Sequence, residues 1–294
     1  MVEPTAWGRQ TFLIVNYACM LIVALLCLFP IVHVFAVSLS SSSAAATGQV
    51  FLSPVDVTTK AYQYVLDKEQ FWKAITVSVY RVVMGCSLQM ILLVLIAYPL
   101  SKEARTFSFR TAYAWIFYIT MLFSGGLIPA YMTVKETGIL NTIWALVLPN
   151  AVAVYSVILL LNFFRGLPKA LEESAFIDGA GHFTIMWRIY LPLSKPALAT
   201  LLLFSIVGQW NAWFDGIIYM NRPELYPLQS YLQTLIVDSN INQMMELSDE
   251  SMQELSDRTL KSAQIFIGAL PVLLVYPFLQ KFFMKGIVLG SVKE

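Results

Sequence analysis

The chain has 294 residues, of which 58% are apolar and 13% carry a charge, with a formal net charge of +1. Soluble domains contain about 45–50% apolar and about 25% charged residues, so this composition excludes a soluble globular enzyme and a disordered protein. A net charge this small gives no basic surface for a nucleic-acid partner. Because the apolar runs are continuous rather than alternating, the sequence predicts an all-α polytopic membrane protein and not a β-barrel.

Six apolar stretches are long enough to cross the roughly 30 Å hydrocarbon core of a bilayer as helices. They cover residues 12–37, 74–100, 111–132, 143–164, 197–220 and 262–280. Six crossings place both termini on one face, whose segments carry 11 Lys and Arg in 67 residues, against 7 in 87 on the other face. Since cytoplasmic loops are enriched in Lys and Arg, both termini are predicted to be cytoplasmic.

These spans predict three parts of the chain. Residues 1–72 hold the first span and the first external loop, residues 73–280 hold the other five spans, and residues 281–294 form a cytoplasmic tail. Two loops within the middle part are unusually long: a cytoplasmic loop at 165–196 and an external loop at 221–261.

The cytoplasmic loop has the pattern of a helical hairpin. Pro168 is suited to a helix start, and Gly179 and Gly181 interrupt the helix that follows. A second short helix is predicted from His182 to Tyr190, ending at Leu191-Pro192. Apolar side chains in this loop predict a docking surface for a partner; they are Phe176, Ile177, Phe183, Ile185 and Met186.

Two ionisable residues, Arg81 and Asp215, lie inside predicted spans. Each lies close enough to the external end of its span for the side chain to reach the membrane–water interface. The alternative is that each side chain faces a polar path through the membrane. On a helical period Asn211 and Asp215 share one face, and Trp210 and Phe214 lie on the neighbouring stripe. This polar and aromatic face suits a carbohydrate path; the alternative is an aromatic belt with polar contacts between helices.

A longer motif in the cytoplasmic loop resembles a known family. The segment Glu173-Ser174-Ala175 is followed after three residues by Gly179, after nine more by Ile189, and then by Leu191-Pro192. This resembles the EAA loop of binding-protein-dependent ABC importer permeases, with Ser174 in place of the first Ala, and Asp178 belongs to a common form of it. Further segments resemble the sugar-transporting class; they lie at 97–101, 125–129, 210–215, 226–229, 276–281 and 285–293.

The resemblance implies a type I ABC importer permease fold, with residues 73–280 as the ABC transmembrane domain, in a bacterial cytoplasmic membrane. It implies a second permease subunit, two ATPase subunits and an external solute-binding protein that delivers an oligosaccharide. The hairpin would contact an ATPase, with Glu173 meeting a basic group, Gly179 allowing the turn and Ala175 permitting close packing. The chain contains no G-x-x-x-x-G-K-[ST] motif, so ATP hydrolysis is assigned to the partners. No catalytic residue, cofactor or metal site is predicted.

Alternatives remain at this stage. The loop motif alone also allows an ABC permease for an amino acid, a peptide or an inorganic anion. A membrane-embedded enzyme is disfavoured, because neither His33 nor His182 has a paired carboxylate nearby in the sequence, and a channel that uses no ATP would not need the hairpin. The resemblance also implies that a partner permease makes most of the sugar contacts. It suggests oligosaccharides from polysaccharide breakdown, including uronate-containing ones.

Overall fold

The computed structural model describes the backbone of residues 6–235 and 257–291, and the side chains of residues 7–235 and 258–277. All regular secondary structure in these ranges is helical, as the composition predicts. The predicted external loop at 221–261 lies partly outside them.

The chain divides into two compact units, and the first comprises Met1–Glu69 with Thr234–Leu270. It contains α1 (Ala6–Ser38), α2 (Ser42–Ala46) and α3 (Lys60–Leu66). The exposed side chains of α1 are almost all apolar, which suits a helix surrounded by lipid. A small core of Ala and Val side chains packs α2 against the end of α1.

The second unit comprises Gln70–Gln233 with Pro271–Glu294. Its helices are α4 (Glu69–Ser101), α5 (Arg110–Leu122), α6 (Leu127–Glu136), α7 (Ile143–Val147), α8 (Val154–Arg165), α9 (Lys169–Ile177), α10 (His182–Leu193), α11 (Lys195–Asn211), α12 (Phe214–Tyr219) and α13, which begins at 228 and continues to 235. The last helix, α14 (Asp257–Ser291), has residues in both units, and the first residue of α4 and residues 234 and 235 of α13 fall in the first unit. The main core joins α4, α8, α10 and α11 around side chains such as Leu160, Phe164 and Ile185.

Three helices in the described part of the chain are long and apolar enough to cross a membrane, and their apolar stretches contain or overlap the predicted spans 12–37, 74–100 and 262–280. Up to six crossings result if each of three bent helix pairs counts as one. The helix α14 continues beyond residue 280 to Ser291, into the segment predicted as a tail.

The other three predicted spans are wrong as continuous helices. Residues 111–132 break at Gly125-Gly126, where Gly126 has a φ of 88° and α5 and α6 meet at 114°. Residues 143–164 break between α7 and α8 at a segment containing Pro149, which lacks a backbone N–H. Residues 197–220 break at Ala212 and Trp213, between α11 and α12. A glycine pair and a proline explain the first two breaks locally, whereas the third depends on distant residues described below.

The helix α12 packs so closely on the following segment that it admits no side chain at Gly216. An added Cβ would lie 2.1 Å from Ser230 Oγ and 2.9 Å from Pro227 Cδ. We therefore expect Gly216→Ala to lower the free energy of unfolding by about 1–3 kcal/mol through overpacking. Thermal unfolding in detergent measures the effect. Gly208→Ala is the control, because an added Cβ there meets nothing within 4 Å; equal melting temperatures for the two variants would contradict the prediction.

Candidate functional site: an exposed hairpin and a buried ion pair

The helix–glycine–helix hairpin predicted for the loop is present as α9 and α10. The helix α9 ends in a hydrogen-bond pattern in which Gly179 N donates to Phe176 O (3.0 Å) and Ala180 N donates to Ala175 O (2.9 Å). This Schellman ending needs a left-handed conformation at the first of its two donor residues. Gly179 provides it with a φ of 80°, which explains why glycine occupies this position.

The second helix of the hairpin extends beyond its predicted end at Leu191-Pro192. It continues to Leu193 and widens into a π-helical turn over Met186–Tyr190. In a regular helix the ring of Pro192 would clash with the carbonyl group of Arg188, four residues earlier. The wider turn accommodates the proline without ending the helix, so the prediction of a stop was wrong.

The residues of the motif divide between the hairpin surface and its base. Glu173, Ser174, Asp178, Gly179 and Pro192 are exposed, and Ala175, Ile189 and Leu191 are half-buried. Ala175 and Ile189 pack against the main core. The motif therefore combines an inner face that fixes the hairpin with an outer face that is available to a partner.

The predicted apolar docking face is partly wrong. Ile185 and Met186 are buried and belong to the main core, because the second helix turns these side chains inward. Ile177, Phe183 and Trp187 are exposed at 86%, 67% and 56%. Large exposed apolar side chains on one projecting element are typical of an interaction surface.

A buried polar cluster at the base of the hairpin was not predicted. Lys102 Nζ lies 2.7 Å from Glu172 Oε1, and Tyr190 donates its hydroxyl hydrogen to the other Glu172 oxygen. The same Nζ lies 4.1 Å from the ring centroid of Tyr98 and 4.0 Å from that of Tyr190. Glu172 thus points inward while its neighbour Glu173 points outward. No local pattern could have revealed this, since Lys102 and Glu172 are 70 residues apart.

Burial controls the electrostatics of this cluster. Loss of solvent lowers the pKa of Lys102, and the hydrogen bond to Glu172 offsets part of that effect. Burial also raises the pKa of the Tyr190 hydroxyl, and the Glu172 carboxylate raises it further. A second ion pair near the hairpin, Lys169 with Glu103, is exposed at 71% and 60%. There the hydrogen bond from Lys169 lowers the pKa of Glu103.

The two ionisable residues of the predicted spans form an ion pair in which Arg81 is buried and Asp215 is half-buried. Arg81 is 1% exposed, and its guanidinium makes a bidentate contact with Asp215, with Nη1 donating to Oδ1 at 3.0 Å. Its Nε donates to Gln209 Oε1 at 3.0 Å, and Nη1 also donates to Ala212 O at 3.1 Å. Arg81 therefore does not extend to the interface, which was one of the two sequence-based alternatives for this residue.

The break at Ala212 separates the other residues predicted to line a path. Asn211 ends α11 and Phe214 begins α12, so the single helical face predicted for Asn211 and Asp215 does not exist. Asn211 and Phe214 are exposed, whereas Trp210 is buried. Among the described residues, no group of three or more His, Cys, Asp or Glu side chains could hold a metal ion. The exposed surface of the hairpin is suited to binding a partner, and the helix break at Ala212 is suited to movement of the helices on either side.

Candidate membrane helices and a hairpin with exposed apolar side chains are the features expected of a membrane transport permease. Comparison with known proteins makes this specific: residues 7–288 match the model of the binding-protein-dependent transport system inner membrane component family. The chain belongs to this family.

Two relatives from Bacillus subtilis (strain 168) are similar over most of the chain. The polygalacturonan/rhamnogalacturonan transport system permease protein YtcP is 39% identical over 97% of this chain and 99% of its own length. Protein LplC is 40% identical over 90% of this chain and 89% of its own length. A chain from the crystal structure of a bacterial ABC transporter involved in the import of the acidic polysaccharide alginate is 34% identical, with a TM-score of 0.84 over 96% of this chain and 100% of that chain.

The buried ion pair predicts a large effect when one partner is removed. Asp215→Asn leaves the Arg81 guanidinium buried without its counter-charge, and we expect a loss of about 3–5 kcal/mol in the free energy of unfolding. Glu103→Gln is the matched control, because it neutralises the carboxylate of the exposed Lys169 pair and should leave the melting temperature unchanged. Thermal unfolding of both variants in detergent tests this. Similar melting temperatures for the two variants would show that the buried pair contributes little.

Proposed function

We propose that the chain is the membrane permease subunit of an ATP-driven importer and that its cargo is an oligosaccharide containing uronate units. The whole-length similarity to YtcP and to the alginate transporter supports this cargo, because the first is named for polygalacturonan and rhamnogalacturonan and the second imports the acidic polysaccharide alginate. These relatives give no support to the alternative of an amino-acid, peptide or inorganic-anion cargo.

The assembly proposed for the importer contains this chain, a second permease, two ATPase subunits and an external solute-binding protein. The chain crosses a bacterial cytoplasmic membrane six times with both termini in the cytoplasm, so that the hairpin of α9 and α10 faces the ATPases. The lysine and arginine distribution of the sequence supports this orientation.

One observation carries the coupling role of the hairpin. Of two adjacent carboxylates, Glu172 is held inside by Lys102, while Glu173 is exposed one helical turn before the exposed Ile177 of α9. An apolar surface with a charge beside it is suited to a partner groove that contains a basic residue. We therefore assign Glu173 to the contact with an ATPase.

The path for the sugar is proposed near the break between α11 and α12. Asn211 and Phe214 are exposed there, and an amide and an aromatic ring are suited to the hydroxyl groups and C–H faces of sugars. Arg81 and Trp210 are buried in this conformation, so they support the path rather than contact its cargo. Asp215 is held by Arg81, and this pairing also leaves its carboxylate less repulsive towards an acidic sugar.

ATPase activity of the assembled transporter tests the function. We expect acidic oligosaccharides on the binding protein to stimulate ATP hydrolysis in proteoliposomes, and Glu173→Lys to abolish the stimulation because it places a cation against a basic groove. Glu136→Lys is the matched control, since it makes the same charge change at an exposed site at the end of α6.

Each outcome of this experiment has a definite meaning. Stimulation by neutral sugars alone would overturn the acidic cargo, and stimulation only by amino acids, peptides or inorganic anions would overturn the sugar cargo. Full stimulation of Glu173→Lys would overturn the coupling role of the hairpin.

A further inference from the structure

Lys102 lies one residue beyond α4 and is 7% exposed. Lysine is almost never buried to this extent unless it is paired. Here its ammonium group is held by Glu172 of α9 and by two aromatic rings, one from Tyr98 of α4 and one from Tyr190 of α10. One side chain therefore joins the end of a candidate membrane helix to both helices of the hairpin.

The contacts are too specific to be explained by stability alone. Replacing a buried ion pair with apolar side chains is often neutral or stabilising, so burying this pair is a poor way to stabilise a fold. Here the cation lies against two ring faces, and its carboxylate partner also accepts a hydrogen bond from a tyrosine hydroxyl group. This set of contacts fixes one relative orientation of the three segments. The geometry thus favours a role in positioning.

We propose that Lys102 is a positioning residue for energy coupling, which locks the hairpin to α4 so that the two move as one body. The inference rests on the proposed function, because it assumes that the hairpin receives a push from an ATPase. Without the lock, the hairpin could still dock but would turn about its own ends. Only the apolar packing of the main core would then join the hairpin to α4, so less of the hairpin's movement would reach that helix.

The experiment uses the assembled transporter in proteoliposomes. Lys102→Met keeps a long apolar stem and removes the charge. Glu172→Gln keeps the shape and a hydrogen-bonding group. The quantity measured is the ratio of substrate-stimulated to basal ATPase activity, together with co-purification of the ATPase. A role limited to folding would alter co-purification, whereas a positioning role alters the ratio.

We expect each variant to co-purify with the ATPase and to lose about fivefold or more of the stimulation ratio, the size of a typical coupling between sites. The double variant should be no worse than the more affected single variant, because both substitutions remove one shared contact. Lys169→Gln is the matched control. It removes the α9 lysine of the exposed pair with Glu103 and should keep the wild-type ratio, because exposed ion pairs contribute little.

The outcomes separate this inference from the proposed function. If Glu173→Lys abolishes stimulation while Lys102→Met and Glu172→Gln behave like Lys169→Gln, the lock is wrong and the coupling hairpin stands. If Glu173→Lys has no effect, the coupling role itself is wrong. If the double variant, which leaves neither charge unpaired, also fails to assemble with the ATPase, the contact serves folding, and the positioning role is overturned.

Discussion

The guanidinium of Arg81 replaces helical hydrogen bonds where the backbone of the fifth predicted span is interrupted. A helix break in a hydrocarbon environment is tolerated only when protein groups satisfy the released carbonyl groups. Arg81 donates to Ala212 O, and Ser230 Oγ donates to Trp213 O at 2.6 Å, so both carbonyl groups at the break have side-chain donors. Asp215 then balances the positive charge of the Arg81 guanidinium. The break, the ion pair and the close packing of α12 on the following segment therefore form one connected set of contacts.

The base of the hairpin shows the same principle at the C-terminal end of α4. A buried cation, Lys102, is balanced by one carboxylate, Glu172, and surrounded by aromatic rings. In both clusters the cation comes from α4 or the residue after it, and the anion comes from a segment far along the chain. A buried charge requires its partner to be nearby. Each pair therefore restricts how two distant segments lie against each other.

The sequence predicted the helices and turns that residues close together in the chain determine. Long apolar runs predicted α1, α4 and α14, and Pro168 with Gly179 predicted the hairpin. The sequence also identified Arg81 and Asp215 as unusual, but their pairing across 134 residues has no local signal. For the same reason the break at Ala212 was missed, because its carbonyl is satisfied from 131 residues away. Gly125-Gly126 and Pro149 were local signals of the other two breaks. The apolar composition around them nevertheless predicted unbroken helices.

The two charged clusters are joined by one helix. Arg81 and Lys102 are 21 positions apart, which corresponds to about 32 Å along α4 at 1.5 Å per residue. The helix α4 runs from Glu69 to Ser101 without a break, although Pro99 lacks a backbone N–H, so a displacement imposed at the hairpin end is carried to Arg81. The segment that Arg81 holds has its own break at Ala212 and Trp213, and such short non-helical stretches absorb large backbone changes. A stiff α4 bound to a segmented neighbour is therefore suited to convert a push at the hairpin into a change of angle between α11 and α12, beside the exposed Asn211 and Phe214.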